Sequence, residues 1–323
     1  MAKSKIVYHY KSKWWKRSWD KILYLTILAI FFLFYPGQNI YTLGETIGKP
    51  ILNKLPFAMP TPAPYPTNAT GIPIPEDVTA SGVVIVDIES GVHLYKRNEE
   101  GLFAPASTTK IITALVALDT YALDDVLTVK YLVNTGQTMG LVAGERMTVE
   151  NLLYGALVQS GNDAAYALAE NYPGGVDKFV EAMNAKAKAI HLTKSFFVNP
   201  VGYDDPNQRM TPTDLARLAV VALTNPVIAK IVAIPQITIS DVTHTYFHAL
   251  KNVNQLLGKI PGVGGIKTGW TEEAGENLVT YVERNGHKVI FVVLHSKDRF
   301  GETAKLIDWV FGNFKWENIE YKE

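Results

Sequence analysis

The stretch APASTTKIITALVAL, residues 104–118, predicts a buried helix that begins at a serine. After its first turn the segment is apolar almost all round, which indicates a helix enclosed in a core. Ser107 and Lys110 are three residues apart and share a helix face. Burial lowers the pKa of a lysine, and a neutral lysine can take the proton of a serine hydroxyl. The segment therefore predicts a serine nucleophile and a lysine base, at a helix start whose free N–H groups can stabilise an oxyanion.

An ordinary helix start followed by a solvated lysine is the competing interpretation of this motif. The pattern S-x-x-K is expected about once by chance in a chain of this length. A second match, Ser18 to Lys21, lies near the N-terminus. The motif therefore needs support from other parts of the chain.

A polar tripeptide, Ser160-Gly161-Asn162, separates two predicted helices. The Ser160 hydroxyl can relay a proton to a leaving amine, and the Asn162 carboxamide can hold a substrate amide. A plain interhelical turn explains this tripeptide about equally well when it is considered alone.

A third motif, Lys267-Thr268-Gly269, reads as the edge of a strand ahead of a hairpin. A strand edge can pair with an extended peptide, and Gly269 permits a close backbone approach. Lys267 and Thr268 offer a charge and a donor to a substrate carboxylate. The three motifs occur in the order helix start, interhelical loop and strand edge, and this combination predicts a site for acyl transfer to serine.

Strand patterns lie at both ends of the region that follows residue 79, with helical patterns between them. Residues 82–88 and 92–97 read as one hairpin, and residues 277–283 and 288–294 flank an Asn-Gly turn. Helical patterns cover 107–118, 150–159, 163–170, 215–223 and 302–314. We therefore predict an α+β fold in which one antiparallel sheet is built from both ends of the domain around a helical insertion.

The N-terminal region predicts a membrane anchor and a spacer. Residues 1–21 carry seven Lys and Arg against one acid, and the following apolar run makes residues 22–40 a candidate single-pass transmembrane helix. Residues 41–78 are rich in proline and read as an extracytoplasmic linker. Residues 79–323 would then form the catalytic domain outside the cell membrane. A cleaved signal peptide remains the alternative, although a small-x-small cleavage site is missing.

The composition argues against several other classes of function. Lys and Arg (31) equal Asp and Glu (31), and no clustered basic-aromatic face is apparent, so nucleic-acid binding is not expected. The chain has no cysteine, which excludes disulfides and thiolate chemistry. His244 and His248 have a spacing that could bind zinc, but the glutamate of H-E-x-x-H is missing. We therefore predict neither a metal nor a cofactor.

With its three motifs in this order, the chain resembles the low-molecular-weight penicillin-binding proteins, the serine D-Ala-D-Ala carboxypeptidases. The resemblance covers about residues 79–316 and includes LLYGALVQSGNDAAYALAE, FFVNPVGYDDPNQRMTPTDLARLA and GIKTGWTEEAGENLV. It implies a β-lactamase/transpeptidase-like fold and removal of the terminal D-alanine from peptidoglycan stem peptides. It also implies that β-lactam antibiotics acylate the enzyme.

The same resemblance implies roles for individual residues. Ser107 would be the acylated nucleophile, Lys110 its base, and Ser160 a relay on the second wall of the site. The oxyanion would be held by the backbone N–H groups of Ser107 and Trp270, and Arg299 would help to hold the terminal carboxylate. The substrate-binding set would comprise Asn162, Lys267, Thr268, Gly269, Trp270 and Arg299.

Three alternatives share these motifs. A D,D-endopeptidase would use the same residues on cross-linked peptides, and a non-catalytic sensor would keep the fold and bind penicillin. A class A β-lactamase needs a glutamate for deacylation. This chain has no glutamate between Glu181 and Glu272, and Gly161 stands where those enzymes have an aspartate. Slow decay of a penicillin adduct is therefore expected.

Overall fold

A computed structural model describes residues 14–34 and 63–318. The chain divides into two units, residues 1–61 and 62–323. In the first unit a helix, α1, covers Trp14–Phe34, and its residues 19–34 are exposed. The rest of the predicted basic segment, anchor and linker, residues 1–13 and 35–62, lies outside the described residues. Over the described ranges no single helix meets a length and hydropathy criterion for a membrane span, although two helices joined by a sharp bend meet it together.

The second unit is a mixed α/β domain. Its strands are β1 (Tyr65–Asn68), β2 (Gly82–Asp87), β3 (His93–Arg97), β4 (Val126–Thr128), β5 (Arg146–Thr148), β6 (Gln236–Ser240), β7 (Phe247–Lys251), β8 (Val263–Thr271), β9 (Gly275–Arg284), β10 (His287–Ser296) and β11 (Phe314–Glu317). Its helices are a 3-10 turn (Ala106–Thr109), α2 (Lys110–Thr120), α3 (Val149–Leu157), α4 (Asn162–Glu170), α5 (Gly175–Ala189), α6 (Pro212–Thr224), α7 (Pro226–Val232) and α8 (Arg299–Asn313).

The main sheet has five antiparallel strands in the order β3-β2-β10-β9-β8. Two of them precede the helical region in sequence and three follow it, which confirms the predicted sheet built from both ends. The hairpin between β9 and β10 turns through Asn285 and Gly286, at φ 54° and 81°. Two positive φ values identify a type I′ turn, which explains why an Asn-Gly pair stands there. β8 is an edge strand of this sheet, so its outer edge pairs with no other strand of the sheet and is free to form one wall of the active site.

Two hydrophobic cores lie on opposite faces of this sheet. Along β2, Val84 and Val86 belong to the core shared with helices α2 to α7, whereas Val83 and Ile85 face α8. Successive side chains of a strand point to opposite faces, so a strand covered on both sides must be apolar throughout. The buried run GVVIVD of β2 meets this requirement.

Capping residues fix the starts of two helices that carry or support the site. The Thr148 side chain accepts a hydrogen bond from Asn151 N at the start of α3, and the Thr211 side chain accepts one from Asp214 N at the start of α6. Asp214, three residues after Thr211, does not complete a capping box at α6, however. The Asp214 carboxylate accepts hydrogen bonds from Lys194 N and Ser195 Oγ, because the chain before α6 folds back against this helix start.

The folded domain includes residues that were assigned to the linker from their proline content. β1 pairs with β11, so that Tyr65 lies opposite Glu317 and Asn68 opposite Phe314. The Trp309 indole N–H donates to Ile72 O at 3.1 Å. The compact unit therefore begins at about residue 62 rather than at 79.

Candidate active site

The predicted nucleophile lies in a 3-10 turn rather than in the α-helix that was expected. Side chains three residues apart eclipse each other in a 3-10 helix. This geometry places Lys110 Nζ 2.8 Å from Ser107 Oγ. Lys110 is fully buried and also donates to Val201 O at 3.2 Å. The tight turn thus brings the serine and the lysine into direct contact before α2 begins.

The surroundings of Lys110 favour its neutral form. Burial lowers the pKa of Lys110 well below its ordinary value of 10.5, and the nearby charge of Lys267 lowers it further. Asp163 opposes this shift, but its carboxylate is occupied by the backbone N–H groups of Met139 and Leu141. The lysine at this position is therefore able to accept a proton.

The backbone around Ser107 is crowded. Ala106 has φ 49°, an unfavourable conformation for a residue with a side chain. A Cβ atom added at Gly202 would lie 1.7 Å from Ala106 O, and one added at Gly269 would lie 3.0 Å from Ser107 N. Only glycine at these two positions allows the neighbouring segments to approach so closely. Gly269 thus brings the end of β8, and Trp270 after it, next to the nucleophile.

The second motif forms the loop between α3 and α4. Ser160 adopts φ 63°, and its hydroxyl accepts a hydrogen bond from Lys267 Nζ at 2.8 Å. Asn162 is the first residue of α4, and its carboxamide donates to Thr135 O at 2.9 Å and to the Tyr203 hydroxyl at 3.3 Å. Both side chains are therefore held in place before any substrate arrives.

The third motif lies on β8 as predicted. Lys267 is buried, and Nζ also donates to Thr268 O at 3.1 Å. Burial, together with the positive charge of Arg299, lowers the pKa of Lys267 from 10.5 to about 7. Thr268 is itself buried, whereas Trp270 is 60% exposed and forms part of the rim. Two lysines of lowered pKa thus each contact a serine hydroxyl.

Arg299 lies at the start of α8 and contributes to the same cleft. Its Nη1 donates to Gly269 O at 2.6 Å, and its backbone N–H donates to the Glu276 carboxylate. Its Nε is buried and has no hydrogen-bond partner among residues 63–318. The guanidinium therefore braces the end of β8 where it lines the cleft, beside the place where the resemblance puts the terminal carboxylate.

These residues converge on one cleft of about 510 Å³. Of the predicted set, Lys110 and Lys267 lie behind the surface and contact the serines that line it. The residues that line the cleft directly include Ser107, Ser160, Asn162, Thr268, Gly269, Trp270 and Arg299. The structure thus places every predicted site residue in or directly behind a single cleft.

Among the cleft residues that sequence reasoning missed, Gln137 and Tyr203 contact Asn162. Tyr203 lies in the block FFVNPVGYDDPNQRM, which was quoted for the resemblance but not used for chemistry. Gln137 carries no pattern signal; its backbone O accepts from Asn162 N at 2.7 Å. Both residues hold Asn162 in place: Tyr203 contacts its carboxamide and Gln137 contacts its main chain.

The two histidines considered as zinc ligands have separate partners. His248 is buried on β7, with Nε2 2.7 Å from Glu145 Oε1 and Nδ1 3.1 Å from Met139 O. His244 lies in the β6–β7 turn, with Nδ1 2.8 Å from Ser240 Oγ. Within the described ranges, no three His, Cys, Asp or Glu side chains are grouped so that they could hold a metal.

A family model described as D-alanyl-D-alanine carboxypeptidase matches residues 68–298. The chain belongs to this D-alanyl-D-alanine carboxypeptidase family. The match begins on β1 and includes all three motifs. It confirms the resemblance inferred from the motifs and the prediction of a serine-type D-Ala-D-Ala carboxypeptidase.

Similar proteins support this membership. The chain is 34% identical over 249 residues to a D-alanyl-D-alanine endopeptidase of Pseudomonas aeruginosa, covering 75% of this chain and 79% of that one. It is 33% identical over 246 residues to D-alanyl-D-alanine carboxypeptidase DacF of Bacillus subtilis, covering 73% of this chain and 63% of that one. The crystal structure of the Streptomyces K15 DD-transpeptidase superposes with a TM-score of 0.70 at 32% identity, covering 75% of this chain and all of that one. These likenesses support a penicillin-binding, transpeptidase-like fold for the second unit.

Proposed function

We propose that the chain removes the terminal D-alanine from peptidoglycan stem peptides through an acyl-enzyme on Ser107. The observation that carries this proposal is the 2.8 Å contact between Ser107 Oγ and Lys110 Nζ at the edge of an open cleft. A serine needs a base within hydrogen-bond reach to become a nucleophile, and a buried lysine of lowered pKa supplies one.

In the first step, neutral Lys110 takes the Ser107 proton as Oγ attacks the carbonyl carbon between the two D-alanines. The backbone N–H groups of Ser107 and Trp270 stabilise the oxyanion. The proton taken by Lys110 passes through Ser160, which Lys267 holds, to the departing amine as the C–N bond breaks, and Lys110 becomes neutral again. The products of this step are free D-alanine and an ester between Ser107 and the shortened peptide.

In the second step, water attacks this ester and releases the shortened peptide. Lys110 is the base that we assign to this water, because it lies beside the ester oxygen and is fully buried. The carboxylate that lines the described cleft is that of Glu272, which is exposed. Penicillin would acylate Ser107 as its β-lactam C–N bond opens, and this ester would be released slowly, because no buried carboxylate that could activate a deacylating water is among the described residues that line the cleft.

D-alanine release separates the carboxypeptidase from the endopeptidase alternative. The endopeptidase alternative is favoured by one observation, the name of the Pseudomonas aeruginosa relative. The purified enzyme should be given a monomeric pentapeptide and a cross-linked dimer at equal concentration. D-alanine release from the monomer supports the carboxypeptidase, and cleavage of the dimer alone supports the endopeptidase. Penicillin labelling without cleavage of either would support a sensor.

We propose further that residues 22–40 anchor the chain in the cell membrane and that the catalytic domain lies outside. The basic residues that precede this apolar segment support the proposal. Because the chain has no cysteine, a single Lys5→Cys or Glu76→Cys substitution provides a clean label for topology. A membrane-impermeant maleimide should label Glu76→Cys in intact cells and label Lys5→Cys only after lysis. The opposite pattern would refute this orientation.

A further inference from the structure

One carboxylate of the catalytic cleft takes no part in the proposed reaction. Glu272 is exposed and lines the same cleft as Ser107. It follows Thr271, the last residue of β8, and begins the turn that leads into β9. Within residues 63–318 its side chain forms neither an ion pair nor a hydrogen bond. The carboxylate is therefore available to a ligand that enters the cleft.

The direction of β8 places Glu272 at the acyl end of the cleft, an assignment that rests on the proposed function. Lys267 and Thr268, which would bind the terminal carboxylate, come before Gly269 on this strand. Gly269 marks the point where β8 passes the nucleophile, and Trp270 and Glu272 come after it. The acyl part of the peptide lies on the far side of the scissile bond from the terminal carboxylate. It therefore extends along the end of β8 towards Glu272.

Strand pairing determines which residue of the peptide comes near Glu272. An extended peptide can add to the free edge of β8, and with its carboxylate at Thr268 it runs antiparallel to this strand. The scissile carbonyl, which accepts from Trp270 N, belongs to the first of the two D-alanines, so that residue lies opposite Trp270. Successive residues of a strand advance by about 3.4 Å. The residue before the two D-alanines therefore lies opposite Thr271 and next to Glu272.

The charges around Glu272 favour a cation at this position. Asp204 accepts a hydrogen bond from Thr271 Oγ1 at 2.6 Å, which brings a second carboxylate to the end of β8. The guanidinium of Arg209 is already paired with Glu273, with Nη2 2.6 Å from Oε1. Among residues 63–318, neither Asp204 nor Glu272 has an ion-pair partner. An ammonium group at the acyl end would thus meet two carboxylates that are not neutralised.

Trp270 adds an aromatic surface to this end of the cleft. Its side chain is 60% exposed, and its ring has neither an aromatic nor a cationic partner in the described part of the chain. The face of an indole ring attracts an ammonium group. Lys267 and Arg299, in contrast, lie near the place of the terminal carboxylate. The cleft therefore complements a peptide that is negative at its C-terminus and positive at the residue opposite the end of β8.

We propose that Glu272, together with the ring of Trp270, selects stem peptides in which the residue before the two D-alanines carries a free side-chain ammonium group. Both contacts are exposed to solvent, so each contributes modestly. Together they should raise kcat/KM about fivefold over the same peptide with this amine acetylated. The preference should lie in KM, because the ammonium group does not touch the reacting atoms.

The test uses two pentapeptides that end in D-Ala-D-Ala and have either lysine or acetyl-lysine as the preceding residue. D-alanine release by the full-length chain is compared with release by Glu272→Gln, which keeps the shape of the side chain and removes its charge. The control is Glu89→Gln, in the exposed turn between β2 and β3, outside the cleft. The preference should fall to about twofold in Glu272→Gln, the part left to Trp270, and stay at about fivefold in the control. Near-ultraviolet circular dichroism checks that both variants are folded.

The outcomes separate this proposal from the proposed function. D-alanine release from both peptides at equal efficiency by the unaltered chain, or a fivefold preference that survives in Glu272→Gln, would overturn the role of Glu272. Because salt screens exposed charges, the preference should also shrink as ionic strength rises, and a preference that salt leaves unchanged would contradict an ion pair. Failure of the unaltered chain to release D-alanine from either peptide would instead refute the proposed function.

Discussion

Lys110 Nζ lies 2.8 Å from Ser107 Oγ because a single 3-10 turn eclipses their side chains. Lys110 is also among the largest side chains that are fully buried in the described structure. A buried lysine is penalised in its charged form, and the resulting neutral amine can act as a base. The 3-10 turn thus provides the geometry that catalysis requires, and the burial of Lys110 at the start of α2 provides the protonation state.

Replacement of Lys110 by methionine should abolish acylation without unfolding the domain. Methionine keeps an unbranched side chain of similar length but provides no base, so the acylation rate should fall by about 10²- to 10⁴-fold. Fluorescent penicillin labelling over time measures the rate, and near-ultraviolet circular dichroism checks the fold. The exposed Lys188 in α5 provides the matched control, Lys188→Met. Labelling of Lys110→Met at the unaltered rate would exclude Lys110 as the base.

The same substitution should alter the dependence of stability on pH. The pKa of Lys110 is lower in the folded state than in the unfolded chain, so between the two values the unfolded chain binds more protons. The free energy of unfolding contributed by this group therefore rises with pH across that window, up to the ordinary value of 10.5. Urea unfolding from pH 7 to pH 10 should show a smaller rise for Lys110→Met. An equal rise in both proteins would contradict the lowered pKa.

Substrate capture should weaken as Lys267 loses its charge. Its pKa is about 7, and a lysine is charged below its pKa, so the charge is lost as pH rises through this value. The kcat/KM for a peptide with a free terminal carboxylate should therefore fall above about pH 7, because this ratio reports the free enzyme. In Lys267→Arg the guanidinium stays charged and this decline should disappear, although the overall rate will be lower. The same decline in both proteins would assign it to another group.

Removal of the Tyr203 hydroxyl should impair the site through Asn162. The Asn162 carboxamide donates to this hydroxyl at 3.3 Å, and one such hydrogen bond contributes about 1 kcal/mol. Tyr203→Phe should thus lower kcat/KM by about fivefold, with no added loss when combined with Asn162→Ala. Tyr166→Phe is the control, because the Tyr166 ring packs near the Tyr203 ring, with the two ring centroids 6.3 Å apart. Additive losses in the double variant would show that Tyr203 acts independently.

The buried pair His248 and Glu145 should stabilise the domain. His248 Nε2 lies 2.7 Å from Glu145 Oε1, and Glu145 is 4% exposed. His248→Ala leaves the buried Glu145 side chain without this hydrogen-bond partner, which should cost about 1–3 kcal/mol in the free energy of unfolding. His244→Asn in the exposed turn should change it by less than about 0.5 kcal/mol. Urea unfolding measures the free energy of unfolding of both variants. Equal losses in His248→Ala and His244→Asn would show that the buried pair does not stabilise the domain.

Local patterns predicted the parts of this fold that local chemistry determines. The Asn285-Gly286 turn requires two positive φ values, so its sequence identifies both the hairpin and its turn type. Thr148 and Thr211 mark helix starts because their side chains satisfy free N–H groups. The three motifs were likewise recognisable, since each consists of residues that are adjacent or three apart.

The features that sequence reasoning missed depend on contacts between distant segments. β1 pairs with β11 across almost 250 residues. The proline-rich composition of the segment that contains β1 predicts a linker instead of a strand. Tyr203 reaches Asn162 only in the folded chain. The Asp214 carboxylate accepts hydrogen bonds from Lys194 and Ser195 instead of completing a capping box at the start of α6, because tertiary contacts compete with local ones. No periodicity in the sequence encodes such choices.

The most direct test of the account is D-alanine release from a pentapeptide ending in D-Ala-D-Ala, measured for the unaltered domain and for Ser107→Ala. The fragment should begin at residue 62, so that β1 can pair with β11. We predict release by the unaltered fragment, an acyl adduct on Ser107 when penicillin is added, and neither in Ser107→Ala. D-alanine release that persists in Ser107→Ala would contradict the assignment of this serine as the nucleophile.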